Sequence, residues 1–392
     1  MELGSLRSRL RQFAEKIRPA NLSVTLEPLT APSPSGPDFE RFRDPAYALT
    51  AWPDKQTQWW YFTGNVASRC GRRFGYELVF FTRRTDLDYI GVLPSHWLKP
   101  NIAVAHFALA DIDNPNEKEQ FRYWHRGGVF SNSTGFASME FFHVEQGGWS
   151  AYQDDLGIIH LRAESAGRSI TLQLNPLKEL VYHGQGGYSQ RDDDYKVASY
   201  HCTYTRLETK GRIVLEKECF EVSGLSWMDH EKMLAGRERF IHGWDWYSIQ
   251  LDNQEELMIY HLRKADGFFD EKYSSGTHVD ANGKLTHLSF KDFHVKILGR
   301  WKSPKTGGKY PNFTEVTVPS LGIKLEVIPL VPQSELDCVK TSFVTYWEGP
   351  IRTVGHIQGK PVKGSGYLEL CGYDERKSSQ LVHTMIMPEP HF

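Results

Sequence analysis

Hydrophobic and polar residues alternate with a period of two along most of the chain that follows Gln56. This period is typical of strands with one buried face. The stretch 243–251 shows it most clearly. One face carries Asp245, Tyr247 and Ile249, and the other carries Trp244, Trp246, Ser248 and Gln250. Asp245 is unusual, because a carboxyl in a dry setting favours its protonated form and its pKa should rise. The alternative, which this stretch alone favours, is an ordinary hydrogen-bonded barrel residue.

Strands of this kind follow one another with turn residues between them. Residues 58–66 and 74–82 predict a hairpin, and residues 158–164 and 169–174 predict another around Gly167. Helical periodicity is almost absent from this region. The pattern therefore predicts an all-β chain, built as an antiparallel sandwich or barrel. A Trp-rich strand opens each half, at residues 59–62 and 244–246, which indicates two similar barrels.

The chain divides into three predicted parts. Residues 1–55 combine a basic amphipathic helix over 1–18 with a Pro-rich extended arm over 28–55. An N-terminal barrel covers 56–235 and a C-terminal barrel covers 240–388, because charged and small residues interrupt the strand pattern between them. The terminal helix is interpreted as a cap on the body. The alternative is a weak contact with a membrane surface or a partner.

Composition excludes several classes of protein. The chain has 392 residues, a formal net charge of -2 and no long basic run, which argues against a nucleic-acid partner. Its 5 Cys show no CxxC spacing, which argues against a disulfide scaffold and a cysteine zinc site. No apolar run approaches the ~18 residues of a membrane span, and no signal-peptide core is visible. We therefore expect a soluble, cytoplasmic protein.

Seven short blocks stand out in order along the chain. They occupy residues 59–64, 74–78, 105–111, 226–231, 243–246, 346–349 and 364–370. As an ordered set they resemble the carotenoid 1,2-hydratase/AttH-like family of lipocalin-like proteins, over roughly residues 55–375. The resemblance implies two lipocalin-like antiparallel β-barrels packed side by side, with an apolar pocket inside or between them.

The same resemblance implies a chemistry. Family members hydrate carotenoids or prenylated phenols, or cyclise their substrates, and this chain is similar in length and in block 105–111 to a single-domain class II terpene cyclase. Two departures weaken the expectation of carotene hydration. Gln58 stands where the family has Glu, and Lys232-Met233 stands where it has Trp-Gly. Hydration and class II cyclisation both begin by protonating an isolated C=C bond.

Two aspartates are candidate proton donors. An alkene is a very weak base, so its acid must be strong yet held protonated, which burial away from water favours. Asp111 shares a strand face with Phe107 and Leu109, and lies in an apolar barrel if that face points inward. Capping of the turn that follows is the alternative role for Asp111. Asp245 is the second candidate.

His230 is a candidate for orienting or recharging the acid, or for acting as a final base. Its neighbours Asp229 and Glu231 are grouped with it in this prediction. The alternative is a salt-bridged network at the junction of the barrels, and it is favoured because three adjacent strand residues cannot all face one pocket.

Aromatic residues are the predicted substrate contacts. Their ring faces stabilise a carbocation by ~0.5–2 kcal/mol each, and the chain contains Trp 11, Tyr 18 and Phe 22. The predicted substrate-binding residues are Trp59, Tyr61, Phe107, Trp227, Trp244, Trp246 and Tyr247. Tyr61 and Tyr247 are more often core residues with a satisfied hydroxyl, which is the alternative for both.

Neither a metal nor an organic cofactor is predicted. The 16 His show no H-E-x-x-H or facial-triad spacing. His106, His201 and His261 are interpreted as core residues that stack or form hydrogen bonds. The predicted function is proton-initiated cyclisation of a hydrophobic substrate, a prenylated phenol, prenylated benzoate or other isoprenoid. The alternatives are hydration of such a substrate and a non-catalytic lipocalin-like isoprenoid carrier.

Overall fold

The computed structural model describes residues 36–84, 89–90, 93–94, 101–128, 135–193, 197–234, 241–264, 266–342 and 344–376. The helix predicted over 1–18 and the predicted barrel boundary at 235–239 lie outside the described residues.

Two short helices replace the described part of the predicted extended arm. They are α1 (Pro37–Arg43) and α2 (Pro45–Ala48). The prediction was wrong here because Pro37 and Pro45 each begin a helix, where the missing N–H of proline costs nothing. Phe42 of α1 is buried against Trp52 and Tyr200, so the helices cover one part of the first core.

The first sheet contains 13 strands among the described residues. These are β1 (Thr57–Ser68), β2 (Arg73–Arg84), β5 (Asn101–Asp111), β6 (Phe121–Gly127), β7 (Gly135–Ala137), β8 (His143–Gln146), β9 (Trp149–Gln153), β10 (Ile159–Ser165), β11 (Arg168–Pro176), β12 (Val181–Tyr182), β13 (Tyr188–Gln190), β14 (Ala198–Leu215) and β15 (Glu218–Met233). The short strands β3 (Tyr89–Ile90) and β4 (Leu93–Pro94) form a separate pair. A 3-10 turn covers Glu117–Glu119.

The second sheet contains 10 strands among the described residues. These are β16 (Ile241–Leu251), β17 (Glu256–Lys264), β18 (Ser275–Val279), β19 (Leu285–Ser289), β20 (His294–Lys302), β21 (Lys309–Val318), β22 (Ile323–Pro329), β23 (Glu335–Cys338), β24 (Val344–Ile357) and β25 (Lys360–Cys371). Helix α3 (Val339–Ser342) and two 3-10 turns, Phe290–Asp292 and Pro319–Leu321, complete the described elements.

Both sheets follow one plan. The first runs β6-β5-β2-β1-β15-β14-β11-β10-β9-β8-β7, and the second runs β19-β18-β17-β16-β25-β24-β22-β21-β20. In each, the opening strand pairs with the closing strand of the same sheet, β1 with β15 and β16 with β25. All of these pairs are antiparallel, and each sheet curls around its own core. The structure thus confirms the all-β, two-barrel prediction.

Alternation along the strands separates two environments. Trp60 and Phe62 of β1 point into the first core, and Tyr247 and Ile249 of β16 point into the second. The intervening residues point outward, as the period of two requires. On most barrels such residues meet water, but here the outward faces of the two sheets pack against each other.

Apolar clusters and hydrogen bonds join the two sheets. One cluster brings Tyr61 and Trp227 of the first sheet against Trp246 and Tyr367 of the second. Gly75 permits this close approach, because a Cβ there would lie 2.6 Å from the Tyr367 hydroxyl. Tyr367 is therefore held against backbone, and the barrels pack tightly at this point.

A buried ion cluster also crosses the junction. Glu256 of the second sheet accepts from Arg206 Nε at 2.5 Å and from Lys178 Nζ at 2.9 Å, both from the first half of the chain. The carboxylate is fully buried, so removing either cation would leave charge that is poorly compensated.

Candidate active site

A cavity of about 580 Å³ lies between the outward faces of the two sheets. Strands β1, β2, β5, β14 and β15 supply one side of it, and β16, β17, β24 and β25 supply the other. Its aromatic lining consists of Trp59, Tyr61, Phe81, Trp244, Trp246, Tyr260 and Tyr346. This volume is in the range typical of small-molecule sites, about 300–1,000 Å³.

Four of the predicted substrate-binding residues line the cavity, namely Trp59, Tyr61, Trp244 and Trp246. The other three point elsewhere. Phe107 stacks on Trp124 inside the first barrel, with ring centroids 5.3 Å apart. Tyr247 lies in the second core, and Trp227 contacts the edge of Trp246 at the junction without lining the cavity.

Asp111 is buried at the end of β5 and does not line the cavity. The face it shares with Phe107 points into the first barrel, as the sequence suggested. Arg72 binds both of its oxygens, at 2.9 and 2.5 Å, and Asn114 donates to it at 3.0 Å. The structure therefore places Asp111 in an ion pair that closes a turn, away from the aromatic lining.

Asp245 is also buried outside the cavity, on the core face of β16. Its pKa is raised by burial, in the direction expected from the sequence, although the Arg263 cation and the Tyr373 hydroxyl oppose the shift. Arg263 Nη1 lies 2.7 Å from it and Tyr373 Oη lies 2.9 Å from it. The tryptophans beside it in the sequence face the cavity, and the carboxyl does not.

The 229–231 segment splits between two faces of β15. Asp229 and Glu231 line the cavity, whereas His230 points into the first barrel and stacks on Trp60. His230 Nδ1 donates to the Trp59 carbonyl at 2.9 Å, and Lys232 donates to His230 Nε2 at 2.7 Å. The structure therefore separates His230 from the cavity that its two neighbours line.

Asp229 and Glu231 form a charged wall with two basic residues. His201 Nε2 lies 3.3 Å from Asp229 Oδ1, and Arg191 pairs with Glu231. Burial would lower the pKa of His201, but the Glu231 and Asp229 carboxylates raise it overall. Burial would likewise raise the pKa of Glu231, but Arg191 and His201 lower it overall. These shifts favour a protonated His201 and an ionised Glu231.

Three glutamates at the junction have raised pKa values, in contrast to Glu231, whose pKa is lowered. Glu369 lines the cavity, and burial together with the Asp229 and Glu231 charges raises its pKa to about 7, against a hydrogen bond from Trp244. Burial and the Glu369 charge raise the pKa of Glu77 to about 8, against a hydrogen bond from Tyr346. Burial, Glu369 and Glu77 raise the pKa of Glu348 well above its usual value. These acids are suited to carrying protons at neutral pH.

A hydrogen-bonded chain connects one of these acids to the cavity. Tyr346 donates from its hydroxyl to Glu77 Oε1 at 2.8 Å, and the same hydroxyl lies 2.7 Å from His106 Nδ1. His106 lines the cavity, and its Nε2 has no hydrogen-bond partner among the described residues. Burial, and to a smaller extent His125, lowers the pKa of His106 to about 3, which keeps the imidazole neutral.

Among the described residues, one group has the geometry to hold a metal ion. Ligand atoms of His183, His201 and Asp229 lie within 4.8 Å of one another. Both ring nitrogens of His183 already have hydroxyl partners, Thr277 at 2.9 Å and Thr203 at 2.8 Å, and Thr203 donates to Asp229. Hydrogen bonds thus occupy both ring nitrogens of His183, whereas neither ring nitrogen of His201 has a hydrogen-bond partner among the described residues.

None of the three junction glutamates was among the site residues predicted from the sequence. Glu77, Glu348 and Glu369 each lie in a block that carried the family resemblance, and each directly follows an aromatic or large apolar residue. A charged residue on the outward face of a strand normally meets solvent. Only the packing of one sheet on the other shows that these three are buried.

None of the described helices is both long and apolar enough to cross a bilayer. The five cysteines are not joined in disulfides.

Comparisons with known proteins agree with this architecture. A family model described as AttH-like matches residues 45–373. A candidate AttH protein from Nitrosomonas europaea superposes with a TM-score of 0.72 at 24% identity, over 84% of this chain and 96% of that one. Kievitone hydratase from Nectria haematococca superposes with a TM-score of 0.61 at 12% identity, over 81% of this chain and 89% of that one. No match emerges from a comparison with curated protein sequences.

Proposed function

This chain belongs to the AttH-like family, and from that premise we propose that it is an enzyme that protonates a C=C bond of an isoprenoid or prenylated aromatic substrate and guides its cyclisation. The observation that carries the proposal is Glu369, a carboxyl with a pKa of about 7 in an aromatic cavity between two barrels. Glu369 is the proposed proton donor.

The cavity suits each stage of such a reaction. At neutral pH a substantial fraction of Glu369 holds its proton, as a donor to an alkene requires. Trp59, Trp244 and Trp246 line the same space and supply ring faces, each worth ~0.5–2 kcal/mol to a cation. A preformed cavity also holds the flexible prenyl chain folded, which reduces the entropic part of the barrier.

Asp111 and Asp245 remain the donors that the sequence suggested, and they provide the sharpest test of the assignment. The purified protein would be incubated with phenols and benzoates that carry prenyl chains of increasing length, and products would be separated and weighed by mass spectrometry. Glu369→Gln should lower turnover by about 10²–10⁴-fold while substrate binding persists. Asp111→Asn and Asp245→Asn should retain turnover per folded molecule. Loss of turnover only in an aspartate variant would move the donor to that residue.

Hydration is the second candidate, favoured by the charged wall of Asp229, Glu231 and His201 at the cavity. Those groups can hold a water close to a cation, and kievitone hydratase has the same fold. A cyclised product keeps the mass of its substrate, whereas a hydrated product gains oxygen from labelled water. An unchanged ligand recovered from a tight complex would instead indicate a carrier.

A further inference from the structure

We propose that His106 is the base that removes the last proton from the substrate cation, and that Tyr346 and Glu77 carry this proton away from the cavity. This inference rests on the proposed function. It assigns a second catalytic residue, on the wall of the cavity that the first sheet supplies, whereas Glu369 belongs to the wall that the second sheet supplies.

The geometry of the three residues supports a relay. His106 is 1% exposed, and its Nε2 atom has no hydrogen-bond partner in the part of the chain that the structure describes, although the residue lines the cavity. Its Nδ1 atom lies 2.7 Å from the Tyr346 hydroxyl, which lies 2.8 Å from Glu77 Oε1. A buried imidazole nitrogen without a hydrogen-bond partner costs free energy of folding, unless a bound ligand supplies the missing partner. The cavity is where such a ligand would be.

The proton balance closes within this chain. When Glu77 is ionised, Tyr346 donates to it and His106 donates from Nδ1 to Tyr346, so Nε2 carries the free lone pair of the ring. The C–H bond beside the cationic carbon breaks, its electrons form the new C=C bond, and its proton forms an N–H bond at Nε2. The Nδ1 proton then moves to Tyr346, and the Tyr346 proton moves to Glu77. His106 ends neutral, with the opposite nitrogen protonated.

The carboxyls of the junction make the transfer directional. Glu369 and Glu77 are electrostatically linked, because charge on Glu369 raises the pKa of Glu77. Glu77 is more acidic while Glu369 is protonated, and becomes a better proton acceptor once Glu369 has delivered its proton. Groups that also act on this relay are Glu348, Tyr61 and Tyr367 at the junction and His125 beside His106. One proton thus leaves Glu369 and one arrives at Glu77 in each turnover.

The test compares variants of the relay with a matched tyrosine. In His106→Phe, substrate consumption should persist while formation of the wild-type alkene falls about 10²-fold in favour of other isomers or alcohols. Tyr346→Phe and Glu77→Gln should slow that alkene about tenfold without changing its identity. Tyr310→Phe is the control, because Tyr310 donates to Glu335 at the same 2.8 Å in the second barrel, outside the cavity.

A second measurement is independent of turnover. In ¹⁵N spectra, the neutral His106 ring should change from the Nε2–H to the Nδ1–H tautomer as pH rises through the Glu77 titration, and Glu77→Gln should remove this change. The relay is overturned if His106→Phe forms the wild-type product at the wild-type rate, or if Tyr310→Phe slows product formation as much as Tyr346→Phe does. It is also overturned if the tautomer of His106 does not change with the protonation of Glu77. If instead no isoprenoid is converted while the tautomer change is present, the proposed function fails and the relay's connectivity stands.

Discussion

Buried carboxyls occur in two contrasting regions of this molecule. Inside the barrels, Asp111 and Asp245 are each held by an arginine, Arg72 and Arg263, at hydrogen-bond distance. At the junction, the charges that shift the pKa of Glu77 and Glu369 belong to other carboxylates.

The contrast shows that burial alone does not make an acid into a proton donor. An arginine partner favours the ionised form, and at Asp245 the arginine opposes the rise in pKa that burial causes overall. Carboxylate neighbours add to that cost, so the proton is retained. The interior acids are therefore suited to holding the structure together, and the junction acids to chemistry. The predictions below test this division, starting with the largest expected effect.

Replacing Glu369, the proposed proton donor, should have the greatest effect on activity. Glu369→Gln removes the proposed donor while keeping its shape, so turnover should fall by about 10²–10⁴-fold. Steady-state product formation would measure this, with thermal unfolding to verify folding. Asp111→Asn is the control, since Asp111 is buried but outside the cavity. Equal losses in both variants would contradict the division between the two regions.

Replacing an interior acid should instead affect stability. Asp245→Asn leaves the buried Arg263 without its counter-charge, which should cost about 3–5 kcal/mol of unfolding free energy. Chemical denaturation would measure this change. Activity per folded molecule should be preserved, and a selective loss of activity at full stability would instead support the donor role suggested by the sequence.

The pH dependence of stability should carry the signature of Glu77. Its folded pKa of about 8 exceeds the usual value of 4.5, so the folded state binds more protons and loses stability as pH rises between them. Glu77→Gln lacks this loss. The unfolding free energy of the Glu77→Gln variant, relative to that of the wild type, should therefore increase from pH 5 to pH 8, by up to about 1.4 kcal/mol per pH unit. Denaturation across this pH range would check the slope, and a flat difference would place Glu77 among ordinary ionised acids.

Activity should decline as pH rises through about 7, because Glu369 then loses the proton that it donates. A pH–rate profile of kcat would show this, and Asp245→Asn serves as a control that should share the wild-type profile. A rate that increases steadily through this range would contradict donation by Glu369.

The smallest effect is expected from a single ring of the lining. Trp246→Leu removes one aromatic face from the cavity and should cost ~0.5–2 kcal/mol of transition-state stabilisation. Phe107→Leu, inside the first barrel, is the comparison, since it should lower stability and leave kcat unchanged. Similar kcat values in the two variants would remove the argument for cation stabilisation by the lining.

The strands and their faces could be predicted from the sequence, because alternation is a local property of the chain. It placed Trp244 and Trp246 on one face and Asp245 on the other, as the structure shows. It could not tell which face would meet the cavity. That depends on how one sheet packs on another, through contacts such as Tyr346 with Glu77, which are 269 residues apart.

Only part of the candidate site could be predicted from the sequence, because the packing of the two sheets is not a local property. Trp59 and Trp244 were predicted as substrate contacts from their aromatic side chains, a property that does not depend on their position in the fold. Glu369 and His106 looked ordinary, since a strand acid or a lone histidine usually has a solvated or core role. The prediction of an extended arm was wrong over α1 and α2, because Pro37 and Pro45 stand at the first helical position, where proline is favoured.

Since each barrel contributes one wall, neither half of the chain holds a complete reaction chamber. Its shape is set by how the barrels dock, and a small shift in docking would re-form the chamber without disturbing either core. New substrates could therefore be accommodated by mutations in the cavity lining that leave the buried Glu256 ion cluster of the junction intact. For the same reason, mutations that weaken the contacts between the two barrels should abolish activity at temperatures well below those at which either barrel unfolds.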